Sequence, residues 1–346
     1  MIFFGKQKQK ASLRAEAVSP GRRSLLAMGC ACCAIALVPR GAARTAPAVV
    51  QQHLELARQA AGSDLSSYLK LGNTALAPPS APAISLSALI NQPVPPPGQA
   101  FDNLYFVGAK WVSAWVLKTS QGLILIEALN NDDEAERVLG AGMRRMGLDP
   151  ADIKLAIVRH GHGDHYGGLG YVKRFAAPKI IMSDADWTMM ETKLEFDAPE
   201  WGRPPQRDGV IADGETVTLG DTTVQAFLTP GHTWGTLSLL FTVRQDGREH
   251  RALLWGGTGF NFGGRPDRLQ RMQSYIDASA RMRDIAQQRE TDVFISNHSG
   301  FDEAIDKLAA SQSSGKNAFV TGVDATARAL TVMNQCAQAT LEAWST

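Results

Sequence analysis

Residues 160–165 read His-Gly-His-Gly-Asp-His, which puts four side chains able to bind metal within six positions. The run follows Lys154 to Val158, which the apolar pattern predicts as a short buried strand. His160 and His162, one residue apart, can converge on one ion from a loop, while Asp164 and His165 can serve a second. Gly161 and Gly163 are read as the residues that let the backbone bend for this. A loop that only capped and hydrogen-bonded itself would have no use for so many metal-capable groups. Neutral imidazole and carboxylate suit zinc, with iron or manganese as alternatives.

Two more histidines follow expected strands, in Thr229-Pro230-Gly231-His232-Thr233 and in Ser296-Asn297-His298-Ser299-Gly300. Side chains placed where loops leave a rigid sheet have fixed geometry, so all three segments are expected to meet. His53, in an amino-terminal arm, and His250, in a charged hairpin, read instead as solvated.

The strand and helix signals come in two runs. Phe101 to Val107, Trp111 to Thr119 and Leu123 to Ala128 read as strands, followed by a helix over Asp132 to Met146 and the Lys154 strand. A helix near Gly168 to Phe175, a strand at Lys179 to Met182, a helix at Asp184 to Leu194 and a Pro-rich loop to Asp208 come next. Strands resume at Val210 to Ala212, Thr216 to Leu219, Thr223 to Leu228, Leu237 to Val243 and Ala252 to Trp255, with Asp213-Gly214 and Asp246-Gly247 as hairpin signals. A helix at Asp267 to Gln288, a strand at Asp292 to Ile295 and two closing helices end the chain. Strands first and helices afterwards in each half predict an α/β fold of two sheets packed face to face with helices outside.

The amino terminus reads as an address. Lys6, Lys8, Lys10 and Arg14 precede the pair Arg22-Arg23, a short apolar run from Ser24 to Val38, and small residues beyond Arg40. Pro20-Gly21-Arg22-Arg23-Ser24-Leu25-Leu26 resembles a twin-arginine signal, whose pathway exports folded proteins. The expected organisation is a signal peptide over 1–48, cut after Ala43 or Ala48, then a helical arm and Pro-rich linker over 49–100, and a domain over 101–346. Periplasmic or secreted localisation follows, without stable membrane insertion, because the apolar run is shorter than the roughly 20 residues of a bilayer span.

Removal of that leader changes the charge. The full chain carries 35 Lys and Arg against 34 Asp and Glu; a cut after Ala43 removes seven basic residues and one acidic residue, so 28 minus 33 leaves −5. A mildly acidic protein does not bind nucleic acid through bulk charge, and a small-molecule substrate is expected instead. Cys30, Cys32 and Cys33 leave with the leader, and Cys336 alone remains, on a helix face where it reads as a small buried hydrophobe.

The His-x-His-x-Asp-His run with His232 and His298 resembles the signature of the metallo-β-lactamase superfamily, over roughly Phe101 to Phe301. The resemblance implies that the two sheets are mixed β-sheets in a four-layer αββα sandwich. It also implies a dizinc hydrolase: His160, His162 and His232 at one zinc, Asp164, His165 and His298 at the other, and a shared water whose pKa the two ions lower toward about 7. Asp164 would orient that nucleophile and is the implied catalytic residue. The ligand types resemble the third β-lactamase subclass, which uses only His and Asp. Glyoxalase-type and phosphodiesterase-type relatives carry a bridging Asp where this chain has Gly257, and diiron oxygen-reducing relatives carry Glu where it has His162. The family's Leu-Ile-Asp turn here reads Leu125-Ile126-Glu127, and Trp234 stands where proline is common. Tyr166, Trp234 and Thr258 are candidate substrate-binding residues. A metallo-β-lactamase is the leading expectation, a hydrolase of another ester, lactone or phosphoester the alternative, and a non-catalytic metal-binding or partner-binding protein the third. Oligomeric state has no signal in the sequence.

Overall fold

The computed structural model describes residues 47–76 and 85–346. Nearly all of the leader and part of the Pro-rich linker lie outside them. Among the described residues, no helix is long and apolar enough to cross a membrane.

Two sheets form the centre. The first holds seven strands in chain order: β1 (Gly98–Phe101), β2 (Leu104–Phe106), β3 (Trp115–Thr119), β4 (Gly122–Ile126), β5 (Ile153–Ile157), β6 (Lys179–Met182) and β7 (Gly209–Val210). Strands β1 to β4 pair antiparallel, and β4 to β7 parallel. The second sheet has the order β12-β11-β10-β9-β8, from β8 (Thr216–Leu219), β9 (Thr222–Leu228), β10 (Leu237–Gln245), β11 (Arg248–Trp255) and β12 (Val293–Ser296). Its one parallel pair joins β11 to β12.

Period-two alternation decides how these sheets bury themselves. On β4, Ile124 and Ile126 face the second sheet, where they share a core with Leu239, Phe241 and Leu254. Leu123 and Leu125 face the opposite way, onto Val138, Leu139 and Met143 of the helical segment after β4. The second sheet repeats the device: Leu240 and Leu253 turn outward onto Met272 and Tyr275 of the Arg268–Gln288 helix and Met333 of the Val323–Ser345 helix. Both faces of both sheets are thus apolar, which a four-layer αββα sandwich satisfies and an open two-layer sheet does not.

The expected elements are present with local differences. The Phe101 to Val107 strand is the end of a β1–β2 hairpin that turns at Asp102-Asn103. Asp246-Gly247 turns β10 into β11 with positive φ at both residues, as a two-residue hairpin requires. Asp213-Gly214 makes no such hairpin: β7 belongs to the first sheet and β8 to the second, so this turn carries the chain across the sandwich. The helix Ala48–Ala61 buries Val50, Leu54, Ala57 and Ala61, as its spacing predicts, and packs on the carboxy-terminal helix.

Candidate metal centre

Strand β5 ends at Ile157, and the chain then runs through Val158 and Arg159 into His160, with Asp164 and His165 on the helical turn Gly163–Tyr166. His232 follows β9, and His298 follows β12. Strands from both sheets therefore deliver these residues to one edge of the sandwich. All six are buried, none more than 1% exposed.

The histidine hydrogen bonds fix which nitrogen is free. His160 Nδ1 donates to the Gly256 carbonyl at 3.0 Å, His232 Nδ1 to Gly259 at 2.7 Å, and His298 Nδ1 to Trp111 at 3.0 Å. A carbonyl only accepts, so each Nδ1 carries the proton and each Nε2 keeps its lone pair. His162 is reversed: its Nε2 faces Glu195 Oε2 at 3.2 Å, leaving Nδ1 free. The free atoms of these four rings, and Asp164 Oδ1, are buried without a hydrogen-bond partner, while Asp164 Oδ2 lies 3.3 Å from His165 Nε2. Such atoms are costly to bury and they converge, which is the arrangement a cation would satisfy.

His160, His162 and His232 present ligand atoms within 4.8 Å of one another, and so do His160, Asp164 and His165. His298 Nε2 lies 3.8 Å from Asp164 Oδ2, and its ring centroid is 5.3 Å from that of His165. The six residues thus form one continuous cluster, with His160 between its two parts.

Electrostatics agree with a site built for positive charge. Burial and the neighbouring histidine rings push His160 and His232 well below the ordinary imidazole range. Burial lowers His298 to about 4, the charge on His165 adding to it. His165 goes the other way: burial opposes its charge, but Asp164 and Glu127 outweigh it and lift it to about 9. Burial opposes the charge of Asp164 too, but His165, His298 and His162 hold it far below the usual carboxylate range. Without metal, then, a proton on His165 supplies the cation between Asp164 and Glu127.

Neither Gly161 nor Gly163 has a positive φ, so the expectation that they bend the loop is corrected. They give room instead. A Cβ on Gly161 would stand 2.6 Å from Met189 Cε, and one on Gly163 2.3 Å from the Trp201 ring. Gly257 is closed in the same way, a Cβ there coming within 2.5 Å of His232 Cβ. The Gly257 turn has no space for a side chain.

The three candidate substrate residues separate. Trp234 is 36% exposed beside the cluster, its Nε1 donating to Asp267 Oδ2 at 3.0 Å and its ring lying under the Arg271 guanidinium. Tyr166 is buried in the core of the first sheet's outer face. Thr258 is fully buried, its hydroxyl within 2.8 Å of both Asn297 Oδ1 and Ser296 Oγ, where it ties two loops together. His53 and His250 are not free in solvent as expected: His53 Nδ1 pairs with Gln335 at 2.8 Å and His250 Nδ1 with Asp292 at 2.6 Å. Cys336 is buried, as its helix face implies.

Several supporting residues stand behind the cluster. Glu127 faces His165 Nδ1 and accepts from Arg159 N at 2.9 Å and Nε at 2.7 Å. Asp186 accepts from Gly161 N, Gly235 N and the Thr233 hydroxyl, tying the His160 loop to the His232 loop. Glu195 bridges His162 and Arg271. Glu127 was visible as the variant of a family turn; Asp186 and Glu195 sit in a helix and a loop whose patterns look like solvated surface.

Residues 108–244 match the metallo-beta-lactamase superfamily, a stretch that holds five of the six candidate residues and stops short of His298. The chain is 27% identical to a subclass B3 metallo-β-lactamase of Bradyrhizobium japonicum, with a TM-score of 0.57 over 68% of this chain and 90% of that one. A mutant of the metallo-β-lactamase from Legionella gormanii shares the fold at a TM-score of 0.60 and 23% identity, over 71% of this chain and 95% of that one. An N-acyl homoserine lactonase from a Bacillus species is 28% identical over 158 residues, 39% of this chain. That match spans 60% of the lactonase's length.

Proposed function

For a chain that carries a metallo-β-lactamase superfamily domain on the fold of the metallo-β-lactamases, we propose an exported dizinc hydrolase that opens the β-lactam amide. The observation that carries this reading is the donor set. The cluster consists of five histidines and Asp164, the lone pairs of His160, His162, His232 and His298 are free and convergent, Gly257 admits no further acid, and the Cys336 thiol is buried in the carboxy-terminal helix. His160, His162 and His232 would hold one zinc, and Asp164, His165 and His298 the other. When bound, the metal supplies Lewis-acid polarisation of a carbonyl and ionisation of water at neutral pH.

The chain's own residues orient and exclude. Glu127, held by Arg159, faces His165 Nδ1 and fixes that ring. Asp164, kept ionised by its histidine neighbours, is the acceptor that would orient the proton of the attacking water. Trp234 offers an aromatic surface at the rim for the apolar part of a substrate. Export to the periplasm or beyond, a twin-arginine leader over 1–48 and a domain over 101–346 belong to this proposal.

A second reading keeps the centre and changes the substrate to a lactone or other small ester; the similarity to the lactonase favours it. Purified protein loaded with zinc should open chromogenic β-lactams, and His160→Ala should abolish turnover with the fold retained by circular dichroism. Hydrolysis of lactones or phosphoesters with no β-lactam opened would replace the first reading by the second. No hydrolysis of any of these by a zinc-loaded protein would remove both.

A further inference from the structure

The outer nitrogens of the five histidines have two kinds of partner. Those of His160, His232 and His298 end on backbone carbonyls, which the fold fixes. His165 and His162 end on carboxylates, Glu127 and Glu195. Each carboxylate is paired with one buried arginine, Arg159 for Glu127 and Arg271 for Glu195. Arg271 also donates to the His232 carbonyl at 3.2 Å and to Asp267 at 3.0 Å, so it links Glu195 to the loop carrying another candidate ligand.

We infer that Glu195 is a positioning residue for the ion held by His160, His162 and His232, fixing His162 so that Nδ1 faces the metal, with Arg271 holding Glu195 in place. This rests on the metal-centre reading above. The reasoning is that an imidazole with no partner on Nε2 can rotate or change tautomer, which leaves Nδ1 protonated and turned from the ion part of the time. A carboxylate accepting from Nε2–H removes both freedoms and makes Nδ1 a stronger donor. Glu195 suits the task because its side chain is only 4% exposed, and water does not compete for the hydrogen bond. Glu195 also differs from Glu127 in where it stands: Glu127 directly follows strand β4, whereas Glu195 lies in the irregular segment between the Asp184–Thr192 helix and β7, the segment that puts the Phe196 ring edge-on to His162 at 4.9 Å. The geometry of this ion is thereby coupled to the segment lying over it.

The test is zinc titration of metal-free protein in competition with a chromophoric chelator, for wild type, Glu195→Ala and Glu195→Gln, with thermal unfolding of each metal-free protein alongside. Arg271 keeps Asp267 as a partner in both variants, so the fold should survive. One of two zinc steps is expected to weaken by roughly ten- to a hundred-fold in Glu195→Ala and by less in Glu195→Gln, whose amide oxygen still accepts from Nε2–H. Wild type that takes no zinc would overturn the metal centre and this inference together. Wild type that takes zinc, with both variants matching it, would overturn the positioning role alone. Equal losses in both variants, accompanied by a lowered unfolding temperature without metal, would assign Glu195 to the fold and not to His162.

Discussion

At Glu127 the backbone adopts φ 70°, a left-handed conformation that a non-glycine residue takes at some cost. The strain is held by what the carboxylate reaches from there: the Arg159 amide and guanidinium and the His165 ring. Glu127→Gln would keep the shape and leave the fully buried Arg159 charge without its counterion. The expected loss is about 3 to 5 kcal/mol, measured by chemical denaturation of the metal-free protein. Asp302 gives a pH signature of the same kind of burial. Burial raises it to about 6, against Lys307 and the Ser296 and Ala304 amides, which pull it down. Between about pH 4 and 6 the folded state therefore binds a proton the unfolded state has lost, so this group's contribution to stability falls as pH rises through that window. Two units correspond to roughly 3 kcal/mol. The stability difference between wild type and Asp302→Asn, followed by denaturation of the metal-free proteins from pH 4 to 7, should shift in favour of the variant by about that amount. A difference that stays flat with pH would mean that Asp302 ionises normally.

Among the elements, the irregular segment after the Asp184–Thr192 helix matters most for access. Trp201 anchors it, donating Nε1 to Asn130 Oδ1 at 2.9 Å and packing on Gly163, while Glu195 and Phe196 lie against His162. No candidate ligand is more than 1% exposed, and the Phe196 ring covers His162. Phe196→Ala, which removes the ring over His162 and leaves the Trp201 anchor, should raise kcat/KM for the larger of two substrates several-fold more than for the smaller; equal effects on both would place the entrance elsewhere. Strand and helix periodicity made most elements legible, Lys179–Met182 and Thr216–Leu219 to the residue. This segment was not legible in the same way, since nothing in Leu194-Glu195-Phe196 separates a loop over a cluster from a loop in solvent.

Across the whole molecule, the two sheets meet along an apolar core, and at one edge they also share the histidine cluster, with His160 and His162 from the first sheet and His232 and His298 from the second. A cation bound there would link the halves through ligands from both. Zinc should therefore raise the unfolding temperature, and a chelator should lower it again. The stabilisation should grow with free zinc, reaching about 4 kcal/mol at a thousand times the dissociation constant. Scanning calorimetry with and without chelator measures this, and an unfolding temperature indifferent to zinc would count against binding by the folded state.

Residue type and apolar spacing alone carry the candidate ligand set and the layer order. Six residues of dense donors announce their chemistry, and alternating apolar positions on strands with helices between them can bury themselves in few ways. The tertiary structure decided what stands behind the donors. Which nitrogen of each histidine is free depends on carbonyls and carboxylates far away in the chain: Gly256 for His160, Trp111 for His298, Glu127 for His165 and Glu195 for His162. The same holds for Thr258, whose hydroxyl is taken up by Ser296 and Asn297, and for Gly161 and Gly163, whose value is space for Met189 and Trp201. Metal chemistry is a property of residue type and is written locally, whereas tautomer, burial and clearance are properties of neighbours, and neighbours are set only when the sheets close on each other.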